Sequence, residues 1–182
     1  MDARRTVKVS KYLSRALRHQ PERVGIVLDD AGWTDVDTLL AACAARGFQV
    51  SRVELEYVVE HNDKQRFAFS ADRTRIRANQ GHTVTVELGL APAAPPDRLF
   101  HGTVARFAAV IMTEGLRPMD RHAVHLSPDV ETAHRVGARR GRPVVLVVDA
   151  ARMAAEGHAF QVSENGVWLV DSVPPGYLSR MD

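Results

Sequence analysis

Val9, Tyr12, Leu13, Ala16 and Leu17 recur at helical spacing in VSKYLSRALRHQ, which predicts an amphipathic helix over residues 9–20, closed by Pro21. The next stretch, GIVLDDAGWTDVDTLLAACAARG at residues 25–47, reads as a short strand, a turn and a second helix. Thr34 and Asp37 resemble a capping box for that helix, and Gly47 stands where a left-handed residue would end it. A third helix is predicted from Ser51, with Glu54 as its capping-box partner, through VELEYVVEHN. The period then changes from helical to alternating. QRFAFS and RTRIRA, separated by Ala71 and Asp72, predict a β-hairpin on which Arg73, Arg75 and Arg77 would share one face. Three helices followed by a hairpin is the order of a winged-helix domain, an order that carries no function by itself.

APAAPPDR, residues 91–98, holds three prolines and no period. It reads as a stiff, extended linker, which divides the chain into units 1–92 and 93–182. The second half has a different rhythm. LFHGT predicts a strand, VARFAAVIMTEG a helix ended by Gly115, and AVHLS a strand, with Ser127 and Pro128 as N-cap and first residue of the helix PDVETAHRVG. PVVLVVDA is a continuous apolar run suited to the middle of a sheet, and GVWLVDSV is a further strand. Short strands alternating with single helices predict a small α+β domain. Trp33 and Trp168 are expected as core anchors.

Composition narrows the function classes. The chain has 182 residues, 45% hydrophobic and 25% charged, as in an ordinary globular protein. No apolar run approaches the ~20 residues a membrane span needs, and MDARRTVKVS lacks the apolar core of a signal peptide, so a cytoplasmic location is the default expectation. Cys43 is the only cysteine, which excludes an internal disulfide and a thiolate zinc site; among alanines it reads as a buried thiol. Net charge is +2, but of 24 basic side chains all except Lys8, Lys11 and Lys64 are arginine. The planar guanidinium grips phosphate oxygens bidentately, so a phosphate-bearing partner fits this bias.

Standard catalytic signatures are missing. GxGxxG, GxxxxGK[ST] and GxSxG do not occur. His122 and His125 are three apart in a predicted strand and so face opposite sides, which argues against a metal pair. Asp29, Asp30, Asp35 and Asp37 sit at turn and cap positions. The chain offers no obvious general base, but arginines and histidines near segment ends. A nucleophile that arrives already ionised, such as a phosphate, needs electrostatic positioning rather than a base.

SKYLSRALRHQP, GWTDVDTLL, NDKQRFAFS and TRIRANQGH, followed by LFHGT, GLRPMDRHAVHLS, VGARRGRPVVLVVDA and NGVWLVDSVPPGYL, resemble the RNA 2′-phosphotransferases of the KptA type from about Val9 to Leu178. The resemblance implies an α+β enzyme of two lobes: an N-terminal winged-helix-like RNA lobe and a C-terminal ADP-ribosyltransferase-like NAD lobe. It implies removal of an internal 2′-phosphate from a tRNA-like RNA. In the first step the phosphate attacks the nicotinamide ribose of NAD and expels nicotinamide. In the second, the ribose 2-hydroxyl attacks phosphorus, giving 2′-hydroxyl RNA and ADP-ribose 1″,2″-cyclic phosphate. NAD is consumed; no metal is expected, and a monomer is.

By the same resemblance, Arg18, His19, Arg66 and Arg121 are the catalytic positions. Three guanidiniums would bind the dianionic phosphate and stabilise the charge that spreads over its oxygens, each bond contributing roughly 1.5–3 kcal/mol. His101, Gly102, Thr103, His125 and Ser127 match the NAD site, with Arg139 and Asn165 beside them. Gly102 would let backbone approach the dinucleotide closely. Lys11, Lys64, Gln65, Arg77 and Asn79 are the expected RNA contacts. Two other functions use parts of the same chain: a winged-helix binder without activity, and an ADP-ribosyltransferase that caps terminal phosphates of RNA or DNA. From the residues alone, Arg18 and His19 suit the negative end of the first helix, and His101 and His125 could equally sit in a core.

Overall fold

Val9, Leu13, Ala16 and Leu17 are fully buried along one stripe of a helix that begins earlier than the apolar period required, Ala3–Arg18 (α1). Asp2 explains the earlier start, because its carboxylate accepts the Arg5 N–H at 2.8 Å and caps the first turn. The computed structural model describes residues 1–62 and 64–181, and the chain divides into two units, Met1–Gly89 and Leu90–Asp182.

In the first unit α1 is followed by a single turn, Pro21–Val24 (α2), ended by Gly25 at φ +88. The short strand expected at the start of residues 25–47 does not form. Ile26 is buried but Val27 is 85% exposed. Asp29 folds the segment into a loop instead, its carboxylate accepting the N–H groups of Ala31 at 3.0 Å and Trp33 at 2.8 Å. The strand comes later, at Thr34–Asp35 (β1). Thr34 is buried there opposite Ile76, so it cannot cap the next helix, Val36–Ala45 (α3). Asp35 caps it, accepting the Thr38 N–H at 2.7 Å. The Ser51–Glu54 capping box forms as expected at the start of Arg52–Glu60 (α4). The hairpin also forms, from Phe67–Phe69 (β2) and Arg75–Ala78 (β3); β1 adds on, giving the order β1-β3-β2. The core of this unit gathers Leu13 and Leu17 of α1 with Leu39, Leu55, Val58, Phe67 and Ile76.

The second unit runs Arg98–Val104 (β4), Ala105–Glu114 (α5), Val124–Leu126 (β5), Val130–Gly137 (α6), Pro143–Asp149 (β6), Ala150–Ala155 (α7), Gln161–Val162 (β7), Trp168–Val170 (β8) and Leu178–Arg180 (β9). These strands make two antiparallel three-stranded sheets, β4-β6-β9 and β5-β8-β7. The apolar run of β6 occupies the centre of its sheet, as its composition predicts. Leu99, Leu126, Val148, Met153 and Phe160 belong to one core. Ser127 does not cap α6, which begins only at Val130; its N–H and C=O instead bridge to Phe100, at 2.8 and 2.9 Å. Asp129 is the cap, accepting the Thr132 N–H at 2.7 Å. The start of the proline-rich stretch joins this unit: Pro92 pairs with Gln161, and the Ala93 N–H donates to Phe160 O at 2.8 Å. Among the described residues no helix is long and apolar enough to cross a membrane.

Candidate active site

Helix α1 and the loop after α4 wall a groove of about 550 Å³ in the first unit. Its lining includes Lys11, Arg15, His19, His61, Lys64 and Arg66, with the hydroxyls of Thr6, Ser10 and Ser14, and no carboxylate among the described residues. Such a surface attracts a polyanion. Arg66 is half-buried, and its Nη1 donates to Asn62 Oδ1 at 3.0 Å and to Ser10 Oγ at 3.4 Å. Arg18, in the last turn of α1, donates from Nη2 to the Arg66 carbonyl at 3.2 Å and lies over the Phe67 ring, 5.9 Å from its centroid. His19, the next residue, is exposed, with Nδ1 3.1 Å from Thr83 Oγ1. Arg18, His19 and Arg66 are thus tied into one corner of the first unit.

The loop carrying Arg66 is shaped by two buried asparagines. Gln65 has φ +39, a conformation that costs on the order of 1–3 kcal/mol for a residue other than glycine. Asn79 opposes that strain: its N–H donates to Arg66 O at 2.9 Å and its Nδ2 to Gln65 O at 2.7 Å. The structure therefore places Asn79, an expected RNA contact, inside the unit at 6% exposure, holding the loop. Lys11, Lys64 and Gln65 are exposed, and the first two line the groove.

The arginine row of the hairpin does not exist as a row. Arg73 precedes β3 and has φ +58, which breaks the alternation. Its guanidinium reaches Glu60 at 2.9 Å and lies over Phe69. Arg75 pairs with Asp29 at 3.3 Å, and Arg75 and Arg77 both lie over Trp33, 5.5 and 4.6 Å from its ring centroid. Trp33 is accordingly a half-exposed platform for two guanidiniums rather than a core anchor, whereas Trp168 does pack on the core of its unit.

In the second unit, strand β4 carries His101, Gly102 and Thr103. His101 Nδ1 donates to the His125 carbonyl at 3.2 Å, so the ring's other nitrogen is the acceptor when the imidazole is neutral. The neutral form is favoured: burial pushes the pKa below 6.5, against the His125 carbonyl, and the nearby charges of Arg121 and Arg140 push it further down. Arg121 stands in the turn closed by its N–H on Pro118 O at 3.2 Å. Burial, then Arg140 and Arg139, lower its pKa. The residue as a whole remains exposed, and a guanidinium keeps its charge throughout the physiological range. Among the described residues no carboxylate pairs with Arg121, Arg139 or Arg140.

Gly102 is required by packing within its unit. A Cβ on it would lie 1.8 Å from the Ala133 carbonyl, and a Cβ on Gly137 would lie 2.6 Å from the Thr103 carbonyl. The two glycines let α6 press directly against β4, so the close backbone approach seen at Gly102 is made by a helix. Thr103 is buried in β4 and Ser127 is half-buried at its bridge to Phe100. His125 Nδ1 donates to Ala123 O at 3.0 Å, and Asn165 Oδ1 accepts the Ser163 hydroxyl at 2.7 Å in the turn before β8. Among the described residues no group of three or more His, Cys, Asp or Glu side chains could hold a metal ion.

Two contributors escaped the sequence reading. Arg140 stands beside Arg139 in VGARRG, and the doubled arginine was its signal. Asn62 precedes Lys64 by two residues, the spacing at which an Asn side chain receives a backbone N–H, and it does so at 3.1 Å.

Residues 4–172 match the sequence profile described as RNA 2′-phosphotransferase, Tpt1/KptA family. A protein of Streptomyces griseus named "Probable RNA 2′-phosphotransferase" is 64% identical over 185 residues, covering 98% of each chain. A protein of the same name from Trichormus variabilis is 54% identical over 182 residues, covering 100% of each.

Proposed function

The chain belongs to the RNA 2′-phosphotransferase, Tpt1/KptA family, and from that premise we propose that it removes an internal 2′-phosphate from RNA with NAD as the consumed co-substrate. The observation that carries this reading is the placement of His19 and Arg66 in a groove whose described lining holds several cations and hydroxyls but no carboxylate, with Arg18 tied to the Arg66 carbonyl. The first unit is the winged-helix-like RNA lobe, its three main helices preceding the β2–β3 hairpin. The second is the ADP-ribosyltransferase-like NAD lobe.

NAD supplies a ribosyl electrophile: the RNA phosphate displaces nicotinamide at the anomeric carbon, and the ribose 2-hydroxyl then displaces the RNA 2′-oxygen from phosphorus, leaving 2′-hydroxyl RNA and ADP-ribose 1″,2″-cyclic phosphate. The residues present fit that molecule. His101, kept neutral with its proton on Nδ1, offers an acceptor to a ribose hydroxyl. Arg139 and Arg140, which no carboxylate neutralises among the described residues, suit a diphosphate. Thr103, His125, Ser127 and Asn165 supply further polar groups of the same unit. Arg18, Arg66 and Arg121 hold phosphate oxygens and stabilise the charge that moves onto them during transfer. His19, at the groove, carries the proton that passes between the ribose hydroxyl and the departing RNA oxygen. Lys11 and Lys64 hold the flanking RNA backbone.

The test is incubation with NAD and an oligoribonucleotide bearing one internal 2′-phosphate. Equimolar nicotinamide and 2′-hydroxyl RNA are expected. Nicotinamide release with the phosphate retained on the polymer would instead assign a capping ADP-ribosyltransferase, and intact NAD would leave a binder.

A further inference from the structure

We propose that Asn62 is a positioning residue for Arg66, an inference that rests on the reading above. Asn62 follows the C-cap of α4 and is buried to 9% exposure, in the lining of the groove that holds Lys11, Arg15, His19, Lys64 and Arg66. Four hydrogen bonds fix it. Its Oδ1 accepts Arg66 Nη1 at 3.0 Å and the Lys64 N–H at 3.1 Å, its carbonyl accepts the Gln65 N–H at 2.7 Å, and its Nδ2 donates to Ser10 Oγ on α1 at 3.3 Å. One side chain therefore links the arginine, the backbone of the loop that carries it, and the helix that forms the opposite wall.

The chemistry explains why the residue is an amide. An arginine side chain has many rotamers, and a guanidinium already oriented loses less freedom when an anion binds. A carboxylate at this position would orient Arg66 equally well, but would cancel its charge and repel the phosphate. A neutral amide oxygen directs the guanidinium without adding a negative charge beside it. Ser10, itself buried, accepts from both Asn62 and Arg66 and so anchors the pair to α1.

The experiment measures kcat/KM with NAD and the 2′-phosphorylated oligonucleotide, and the affinity for that oligonucleotide without NAD. It uses wild type, Asn62→Ala, Arg66→Ala, the double variant and Asn62→Asp, each with its melting temperature. Asn62→Ala is expected to lower both quantities about tenfold, and to cost nothing further once Arg66 is gone, because residues that act through one another are not additive. An equal loss in the presence and absence of Arg66, or wild-type values in Asn62→Ala, would overturn the proposal. Asn62→Asp keeps the shape and is expected to weaken oligonucleotide binding at least as far. Wild-type binding by Asn62→Asp would also overturn it, and that arm decides should the alanine variant fail to fold. A wild-type protein that binds the phosphorylated and the 2′-hydroxyl oligonucleotides equally and releases no phosphate overturns the functional reading itself, and the positioning role with it.

Discussion

Arg66 lines a groove beside Lys11, Arg15 and Lys64, and no described carboxylate shares that lining. Arg73 and Arg75, a few residues on, each hold a carboxylate: Glu60 at 2.9 Å and Asp29 at 3.3 Å. The second unit repeats the first pattern, with Arg121, Arg139 and Arg140 near one another and near His101. Gathering like charges opposes folding, whereas an exposed ion pair is close to neutral for it. Arg73 and Arg75 are held by surface carboxylates, whereas the described neighbours of Arg66 along its groove are cations and neutral groups. The company an arginine keeps distinguishes the two kinds better than its place in the sequence does.

The sharpest way to break that comparison is to remove arginines of both kinds. Arg66→Ala is expected to lower turnover of 2′-phosphorylated RNA by at least tenfold, on the order of the ~1.5–3 kcal/mol that a charge-assisted hydrogen bond contributes. Arg73→Ala and Arg75→Ala should stay within about twofold of wild type and lose little stability, because exposed ion pairs contribute little. Steady-state kinetics and urea melts on the three proteins read both quantities. A loss of turnover in Arg73→Ala as large as in Arg66→Ala would erase the distinction.

Much of the fold can be read in the chain because helical and alternating periods are long-range signals. The stripe of α1, the Ser51–Glu54 box, the hairpin and the central apolar strand all follow from them. What could not be read depends on which polar group reaches which backbone group first. Thr34 resembles a cap but is buried in a strand, and Asp35 caps in its place; Ser127 belongs to a bridge with Phe100, and the helix after it starts later, capped by Asp129. Neither competition is visible before the partner strand is located. For the site, residue spacing supplied arginines and histidines near segment ends but could not rank them. The resemblance to a family named Arg18, His19, Arg66 and Arg121; the structure joins the first three in one unit and sets Arg121 among the cations of the other. The alternation of Arg73, Arg75 and Arg77 misled because Arg73, left-handed, lies in the turn before the strand rather than in it.

A smaller effect is expected where an ion pair is structural from the start. Arg5 holds Glu54 at 2.8 Å, tying α1 to the cap of α4. The Arg5 guanidinium first, and the Ser51 N–H next, bring the Glu54 carboxyl from 4.5 to about 2. A carboxyl with a lowered folded-state pKa contributes stability that is complete above about pH 4.5 and is lost as pH falls toward 2. Arg5→Ala should therefore cost about 1 kcal/mol at neutral pH, given the partial exposure of the pair. It should also show a shallower acid-side loss than wild type, with turnover unchanged. Urea melts at pH 7 and pH 3 measure both, and an equal acid-side loss in the two proteins would show that Arg5 is not the counter-ion that matters.

The smallest effect is the most specific to cation clustering. His101 is held below its ordinary 6.5 first by burial and then by Arg121 and Arg140. The unfolded chain thus binds a proton that the folded chain resists, so stability is complete above pH 6.5 and declines as pH falls through the folded-state value. Wild type should lose stability between pH 7 and acidic pH, and His101→Asn, which can still donate to the His125 carbonyl, should lose less. Arg140→Ala removes one neighbouring charge but leaves the burial, so its slope should lie between the two. If Arg140→Ala steepened the decline instead, Arg140 would be acting on His101 through a bound or protein anion, and the second unit's arginines would belong with Arg73 and Arg75 rather than with Arg66.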